Sequence, residues 1–341
     1  MSQKILIVGS GAIGQWMAAL LAGRAGESVT LLARPRQLPA LREGIFCWGH
    51  CFEVPALSEV PVDSEWDDLI FTVKAFQVEE AAAQLAERGV RPRRVWGFQN
   101  GVGSDSRLAR YFPERWFGAM TTTVPVAVEG SDIRPGNKGG MAWATPNDPG
   151  QQPRWLQNLG LPCWHIPRVD SLKCSKLLLN LTCNATCALL DLLPGQIVAH
   201  PLWFRFELAC LRELLKVMKA SNIPPVDLPE YAVTGLARLG NLPDWMVRPI
   251  LGSKISKARG EKPPSLLLDM RAGRAHSEVE VLNGGVVELG RACSVPTPAN
   301  AWLLEQLRQV VGQPERWAAV REDREALVRQ AQSVLTRKEA R

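Results

Sequence analysis

The feature that most constrains the fold is an apolar run that leads directly into a glycine-rich turn near the first residue. Residues 5–8 are apolar and partly β-branched, and they are followed by Gly9, Ser10, Gly11, Ala12, Ile13 and Gly14. A helical pattern of apolar residues begins immediately afterwards. Glycines at this spacing allow a tight turn, close approach of the backbone to a pyrophosphate and close packing of helix on strand. We therefore predict a dinucleotide-binding domain, with the phosphates at the helix N-terminus.

The second predicted strand, residues 28–33, indicates which dinucleotide is bound. In NAD-binding proteins a carboxylate that binds the ribose hydroxyls lies about 20 residues beyond the glycines. Here Arg34 occupies that place, and Arg36 follows it. Guanidinium groups suit a 2′-phosphate, because they form charge-assisted hydrogen bonds with it. The sequence therefore favours NADP over NAD.

Two more strands are predicted at residues 68–73 and 94–98, with an alanine-rich helix at 77–88 between them. This alternation predicts a parallel sheet. Lys74 and Gln77 follow the first of these strands and Asn100 follows the second, at the edge where open α/β sheets bind ligands. The alternative is that these are ordinary polar loop residues.

After Pro167 the strand and glycine pattern gives way to long helical patterns, so we place the domain boundary near residue 168 and predict domains at 1–168 and 169–341. Within residues 171–192, Lys176, Asn180 and Asn184 recur every fourth residue and predict one polar stripe on a helix. Asparagine is a poor helix former, which favours a functional stripe over a solvated face. A lysine ammonium can protonate a carbonyl oxygen as hydride arrives at carbon, and amides can orient a substrate.

Glu278 is the second candidate for chemistry. The alternative for Glu278 is a helix-capping or surface carboxylate, which Ser277 and the neighbouring acids support. The tail, from about residue 313 to 341, is rich in Arg and Glu and predicts a solvated terminal helix.

Composition excludes several other classes of protein. A length of 341 residues predicts two domains, and the net charge of +6 is scattered, which argues against nucleic-acid binding. Eight dispersed cysteines without a signal segment or a long apolar run favour reduced thiols, a cytoplasmic location and no membrane. Cys47, His50 and Cys51 lack a second pair at metal-ligand spacing, so no metal is predicted.

These motifs in combination resemble the ketopantoate reductase (2-dehydropantoate 2-reductase) family. The segments that carry the resemblance are residues 9–14, the Arg34 segment, 74–77, 99–103, 120–123, the Lys176–Asn180–Asn184 set, 265–269 and 277–284. The resemblance implies an α/β N-terminal Rossmann domain and an all-α C-terminal domain like that of 6-phosphogluconate dehydrogenase. It also implies NADPH-dependent reduction of ketopantoate to pantoate, on the pathway to pantothenate and coenzyme A.

The resemblance also implies roles for individual residues. Lys176 is expected to protonate the ketone oxygen, with Glu278 as its acidic partner. The residues expected to hold the substrate are Asn100, Asn180, Asn184 and Ser265. The residues expected to contact the cofactor are Gly9, Ser10, Gly11, Ala12, Ile13, Gly14, Arg34, Lys74, Gln77 and Asn100.

The sequence departs from the family pattern at two places. Gln99 replaces the histidine expected before Asn100, and one extra residue stands between Asp269 and Glu278. Two alternatives stay open, a related NADP-dependent reductase of another 2-keto acid and a non-catalytic NADP-binding regulator. The expected partner is a small 2-keto acid, with neither nucleic acid nor membrane, and a homodimer is left open.

Overall fold

The computed structural model describes residues 2–129, 131–240, 242–258 and 262–339. The chain forms two compact units. The first unit comprises Met1–Gln99, Gly103–Lys173 and Asp227–Tyr231, and the second comprises Asn100–Val102, Cys174–Val226 and Ala232–Arg341. The single boundary near residue 168 stays a prediction.

The first unit is an α/β structure. Its strands are β1 (Lys4–Val8), β2 (Ser28–Leu32), β3 (Ile45–Cys47), β4 (His50–Phe52), β5 (Ala56–Leu57), β6 (Glu65–Phe71), β7 (Arg91–Gly97), β8 (Trp116–Thr122), β9 (Val126–Glu129), β10 (Asp132–Pro135), β11 (Met141–Ala144) and β12 (Cys163–His165). Its α-helices are α1 (Ala12–Gly23), α2 (Leu38–Arg42), α3 (Val78–Glu87) and α4 (Ser104–Tyr111).

Eight strands form the main sheet, in the order β12-β11-β8-β7-β6-β1-β2-β5. Neighbours from β8 to β5 are parallel, and β11 runs antiparallel to β8. The four residues after Lys4 in β1 are all buried, because a central parallel strand is covered on both faces. The four predicted strands and their parallel arrangement are confirmed, with ends that differ by up to three residues.

A second sheet, in the order β4-β3-β10-β9, was not predicted. Its strands are only three or four residues long, too short for a clear alternating pattern. Cys47 and Cys51 lie in its β3–β4 hairpin, where Cys47 is buried and Cys51 is exposed.

The second unit is helical. Its helices are α5 (Val169–Leu181), which begins in the first unit, α6 (Ala185–Leu190), α7 (Pro194–Ala199), α8 (Pro201–Ala220), α9 (Val233–Gly240), α10 (Asp244–Ala258), α11 (Ser265–Arg271), α12 (Asn283–Ala292), α13 (Pro298–Val310), α14 (Pro314–Glu322) and α15 (Arg324–Glu339). The long helix α8 packs against α7, α9, α12, α13 and α15. Together with the first unit, this confirms the predicted fold class.

The tail is helical, as predicted, but the prediction of a single, solvated helix needs correction. The tail forms two helices, and both are packed: Leu327, Ala331 and Leu335 of α15 are buried, and α15 contacts α8 and α13. The indole N–H of Trp317 in α14 donates to the carbonyl oxygens of Ala188 and Leu189 at 3.0 and 3.1 Å. A few apolar residues at helical spacing are enough to bury one face of a charged helix.

Across the described residues, no helix combines the length and the apolar character that a membrane crossing requires.

Candidate functional site

The glycine-rich turn between β1 and α1 is shaped by close backbone contacts. Gly9 has φ +115°, a conformation that L side chains rarely adopt. A Cβ atom on Gly14 would overlap the carbonyl oxygen of Gly9, so the third glycine lets α1 start close against the turn. The Thr72 hydroxyl donates to the same carbonyl at 2.9 Å. Both glycines are therefore required by the shape of the turn.

At this turn, backbone N–H groups and a buried hydroxyl are available as hydrogen-bond donors. Gly11 precedes α1 without a side-chain cap, and a Cβ there would meet nothing within 4 Å. The first N–H groups of a helix have no intrahelical acceptor, which makes them an anion site when a phosphate approaches. The buried hydroxyl of Ser10 has no hydrogen-bond partner among the described residues. These features fit the pyrophosphate of a dinucleotide.

The predicted cofactor residues outside the turn lie after neighbouring strands of the same sheet. Arg34 follows β2 and is exposed, and Lys74 follows β6 and is exposed. Gln77, which is half-buried, ends the 3₁₀ helix Ala75–Gln77. Since β6 and β2 flank β1 and run parallel to it, these side chains and the glycine turn share the carboxyl edge of the sheet.

In the second unit, two predicted substrate residues contact each other. The Nδ2 of Asn180 donates to the Oδ1 of Asn100 at 3.2 Å, and both side chains are half-buried. Lys176 lies on α5 one turn before Asn180 and is also half-buried. Residues one helical turn apart lie on the same face, so the ammonium and the amide pair belong to one surface.

The third member of the predicted stripe lies elsewhere, which corrects the prediction of one continuous helix. Helix α5 ends at Leu181, and Cys183 adopts φ +52°. Asn184 then stands at the start of α6, where its Oδ1 accepts the backbone N–H of Leu266 at 3.1 Å. This bond ties Asn184 to the first turn of α11, which begins with the exposed Ser265.

Glu278 opens a short 3₁₀ helix, Glu278–Glu280, and is buried, with 5% exposure. The Oγ of Ser277 accepts the N–H of Val279 at 3.2 Å, so Ser277 caps this turn. The carbonyl of Val281 accepts the N–H of Val102 at 3.3 Å. The segment that carries Asn100 is therefore joined to the turn that carries Glu278.

Sequence reasoning missed a buried charged pair in the first unit. Lys173 and Asp105 approach to 3.4 Å, and the Lys173 ammonium donates to the carbonyl oxygen of Gln99 at 2.7 Å. A signal was present, because Lys173 lies four residues before the fully buried Leu177, on the apolar face of α5. A lysine on such a face is rarely buried without a partner.

The chain matches two models of known protein families. Residues 5–141 match the family "Ketopantoate reductase PanE/ApbA", and residues 168–311 match "Ketopantoate reductase PanE/ApbA C terminal". The chain belongs to the ketopantoate reductase family. This confirms the resemblance and makes the protein a member of an oxidoreductase family. The matched residues end at 311, before the two helices of the tail.

Individual relatives span nearly the whole chain. A 2-dehydropantoate 2-reductase of Archaeoglobus fulgidus is 26% identical over 320 residues, which cover 90% of this chain and 98% of the relative. The crystal structure of a PanE/ApbA family ketopantoate reductase from Ralstonia eutropha has a TM-score of 0.76 at 24% identity, covering 92% and 99% of the two chains. A ternary structure of D-mandelate dehydrogenase with NADH and anilino(oxo)acetate has a TM-score of 0.74 at 19% identity, covering 90% and 97%.

Proposed function

We propose that the protein reduces 2-dehydropantoate to pantoate with NADPH. The observation that carries this proposal is the hydrogen bond between Asn180 and Asn100, one helical turn from Lys176. It places two amides on the helix face that also carries the ammonium of Lys176. Family membership and the curated 2-dehydropantoate 2-reductases that span most of the chain support the same reaction.

In this proposal the amides orient the substrate. The Oδ1 of Asn100 accepts from Asn180, so the Nδ2 group of Asn100 lies on the opposite side of that amide from Asn180. This Nδ2 group can donate to an oxygen of the 2-keto acid. Asn184 and Ser265 lie at a second position, linked through Leu266. Donors placed before the substrate arrives need no reorganisation during reaction.

Lys176 is the proposed general acid. When bound, NADPH would supply the hydride for the carbonyl carbon, and the π electrons of the C=O bond would move to its oxygen. The Lys176 ammonium transfers a proton to that oxygen, which gives the alcohol and leaves a neutral amine. Glu278, buried in the turn that is joined to the Asn100 segment, is the proposed acidic partner of Lys176.

The cofactor would lie against the glycine turn. Gly9, Gly11 and Gly14 permit the close approach of the pyrophosphate, and the first turn of α1 offers its N–H groups. The exposed guanidinium of Arg34 stands after β2, where the adenosine ribose of a bound dinucleotide lies in this type of sheet. Its charge supports the choice of NADPH over NADH.

The proposal is tested by following NADPH oxidation with a panel of 2-keto acids: 2-dehydropantoate, pyruvate and phenylglyoxylate. We expect the highest kcat/KM with 2-dehydropantoate, and pantoate as the product by mass spectrometry. Lys176→Ala should lower kcat about 10²–10⁴-fold, as expected for loss of a general acid. The matched control is Lys216→Ala, an exposed lysine on α8, which should leave the rate unchanged.

Each other outcome has a defined meaning. If another 2-keto acid gave a higher kcat/KM, that acid would be the assigned substrate and the assigned reaction type would stand. Tight NADPH binding without turnover of any 2-keto acid would show that the protein is a non-catalytic NADPH-binding protein. Full activity of Lys176→Ala would remove the lysine from the mechanism.

A further inference from the structure

The buried pair Lys173–Asp105 acts on the backbone next to a proposed site residue. The ammonium of Lys173, which is 3% exposed, lies 3.4 Å from Oδ2 of Asp105 and donates to the carbonyl oxygen of Gln99 at 2.7 Å. That carbonyl belongs to the peptide bond between Gln99 and Asn100. The hydrogen bond therefore sets the orientation of the peptide plane from which Asn100 extends.

The side chain of Gln99 is held as firmly as its carbonyl. Its Nε2 donates to the carbonyl oxygens of Phe71 and Val73 at 2.7 and 3.1 Å. Both acceptors are carbonyls, so only the amide NH₂ can face them. Gln99 thus links the end of β7 to the end of β6, just before Lys74. Loss of the Lys173 bond would leave the carbonyl of the peptide that enters Asn100 without this donor.

This buried pair is poorly suited to stabilising the fold. Burial raises the pKa of the Asp105 carboxyl, and the opposing attraction of Lys173 is the smaller effect. Oδ1 of Asp105 and Oε1 of Gln99 have no hydrogen-bond partner among the described residues. Both atoms lie beside Gly97, at 2.8 and 3.4 Å from where its Cβ would stand. A buried pair with unsatisfied oxygens recovers little of its desolvation cost.

A second buried carboxylate in the same unit shows the contrast. Oδ1 of Asp68 accepts from the Arg94 guanidinium at 2.7 Å and from the Trp96 indole at 2.8 Å. Its Oδ2 accepts from Arg94 at 2.8 Å and from the Trp155 indole at 3.1 Å. Four donors satisfy Asp68, as expected of a structural group. The Lys173 pair is different, because its one short hydrogen bond is directed at the Gln99 carbonyl.

We propose that Lys173, with Asp105 as its counter-ion, is a positioning residue that orients Asn100 through the Gln99 carbonyl. The proposal rests on the proposed function, in which Asn100 donates to the 2-keto acid. Lys173 itself touches neither the 2-keto acid nor the cofactor. Lys173 affects the reaction only by orienting the peptide bond between Gln99 and Asn100.

The first test is a mutant cycle in the full-length protein. Lys173→Met keeps most of the apolar stem and removes the ammonium. We expect kcat/KM for the 2-keto acid to fall about 10–100-fold, because small displacements of a positioning group have effects of this order. In an Asn100→Ala background, the same change should alter kcat/KM less than about 3-fold, since residues that act through one another are not additive. Lys216→Met on α8 is the matched control, with no effect in either background.

The second variant separates positioning from simple charge burial. Lys173→Met leaves Asp105 buried without a counter-ion, which is strongly destabilising. Lys173→Met combined with Asp105→Asn removes both charges, so the thermal unfolding temperature should return towards that of the wild type. The Gln99 carbonyl still lacks its donor, and kcat/KM should stay low. Recovery of stability and of kcat/KM together would overturn the proposal.

A measurement that does not depend on turnover distinguishes the positioning role of Lys173 from the proposed function. Hydrogen–deuterium exchange over residues 98–103 should be faster in the double variant than in the wild type, and unchanged in Lys216→Met. Unchanged exchange in the double variant would overturn the positioning role, whatever reaction the protein performs. A wild type without 2-keto acid reductase activity, but with the expected change in exchange, would overturn the proposed function alone.

Discussion

The glycine turn of the first unit and the amide cluster of the second are built in opposite ways. The turn depends on residues that have no side chain. A Cβ at Gly14 would overlap the backbone of Gly9, whereas a Cβ at Gly11 would meet nothing within 4 Å. The amide cluster, which comprises Asn100, Asn180 and Asn184 at two positions, works through side-chain hydrogen bonds: Asn180 donates to the Asn100 side chain, and Asn184 accepts the backbone N–H of Leu266. We expect substitutions in the turn to act through steric overlap and substitutions in the cluster to act through lost hydrogen bonds. The two sets should therefore differ in the size of their effects and in whether they affect cofactor or substrate binding.

The largest effect on cofactor binding is expected at Gly14. In Gly14→Ala the new Cβ overlaps the Gly9 carbonyl oxygen, so the turn must shift. Overpacking of this kind costs about 1–3 kcal/mol, and NADPH affinity should fall about 10–100-fold. Fluorescence titration with NADPH measures the effect.

Gly11→Ala is its matched control for folding. A Cβ at Gly11 meets nothing within 4 Å, so the thermal unfolding temperature should stay at the wild-type value. If Gly14→Ala bound NADPH as tightly as the wild type, the turn would not be the cofactor site.

The next effect separates the two dinucleotides. Arg34→Ala removes an exposed guanidinium after β2, and NADPH affinity should fall about 10-fold because a charge-assisted hydrogen bond is lost. NADH affinity should not change, because NADH has no 2′-phosphate. The ratio of the two dissociation constants is the measurement, and equal weakening of both would remove Arg34 from phosphate recognition.

Asn180→Ala tests the cluster and should have a smaller effect. The change removes the hydrogen bond to Asn100, which contributes about 0.5–1.5 kcal/mol, so KM for the 2-keto acid should rise about 2–10-fold. NADPH affinity should change less than in Gly14→Ala. Steady-state kinetics at saturating NADPH measures the rise, and a KM equal to that of the wild type would show that the amide pair does not hold the substrate.

The smallest effect concerns the support of the cluster. Trp317→Phe removes the indole donor to the carbonyl oxygens of Ala188 and Leu189, and about 1 kcal/mol of stability should be lost. KM for the 2-keto acid should change little, since α6 keeps the bond from Asn184 to Leu266. Denaturant unfolding followed by circular dichroism gives the free energy. A large change in KM would show that the tail controls the geometry of the cluster.

The sequence predicted well those parts of the fold that local pattern determines. Residues 5–8 of strand β1 form a continuous apolar run and the glycines follow at the required spacing, so the sequence predicted both the strand and the turn. The end of α5 could not be found in the same way. Lys176, Asn180 and Asn184 have helical spacing, and only the left-handed conformation of Cys183 divides them between two helices.

Contacts between segments that are distant in the chain could not be predicted from local sequence pattern. The bonds from Asn180 to Asn100 and from Val102 to Val281 join residues far apart in the chain, and they depend on packing. The Lys173–Gln99 bond is of the same kind. The departure of Gln99 from the expected histidine was visible in the sequence, but the role of its carbonyl depends on Lys173, 74 residues later.

The packing of Trp317 has a practical consequence for anyone who divides or shortens the chain. The family match ends at residue 311, yet α14 and α15 cover α6, α8 and α13. Expression of residues 1–311 alone would uncover the buried face under Leu327, Ala331 and Leu335 and remove the donor for two carbonyls of α6. The tail beyond the family match is thus part of the folding unit, and a fragment that keeps this face covered has to include it.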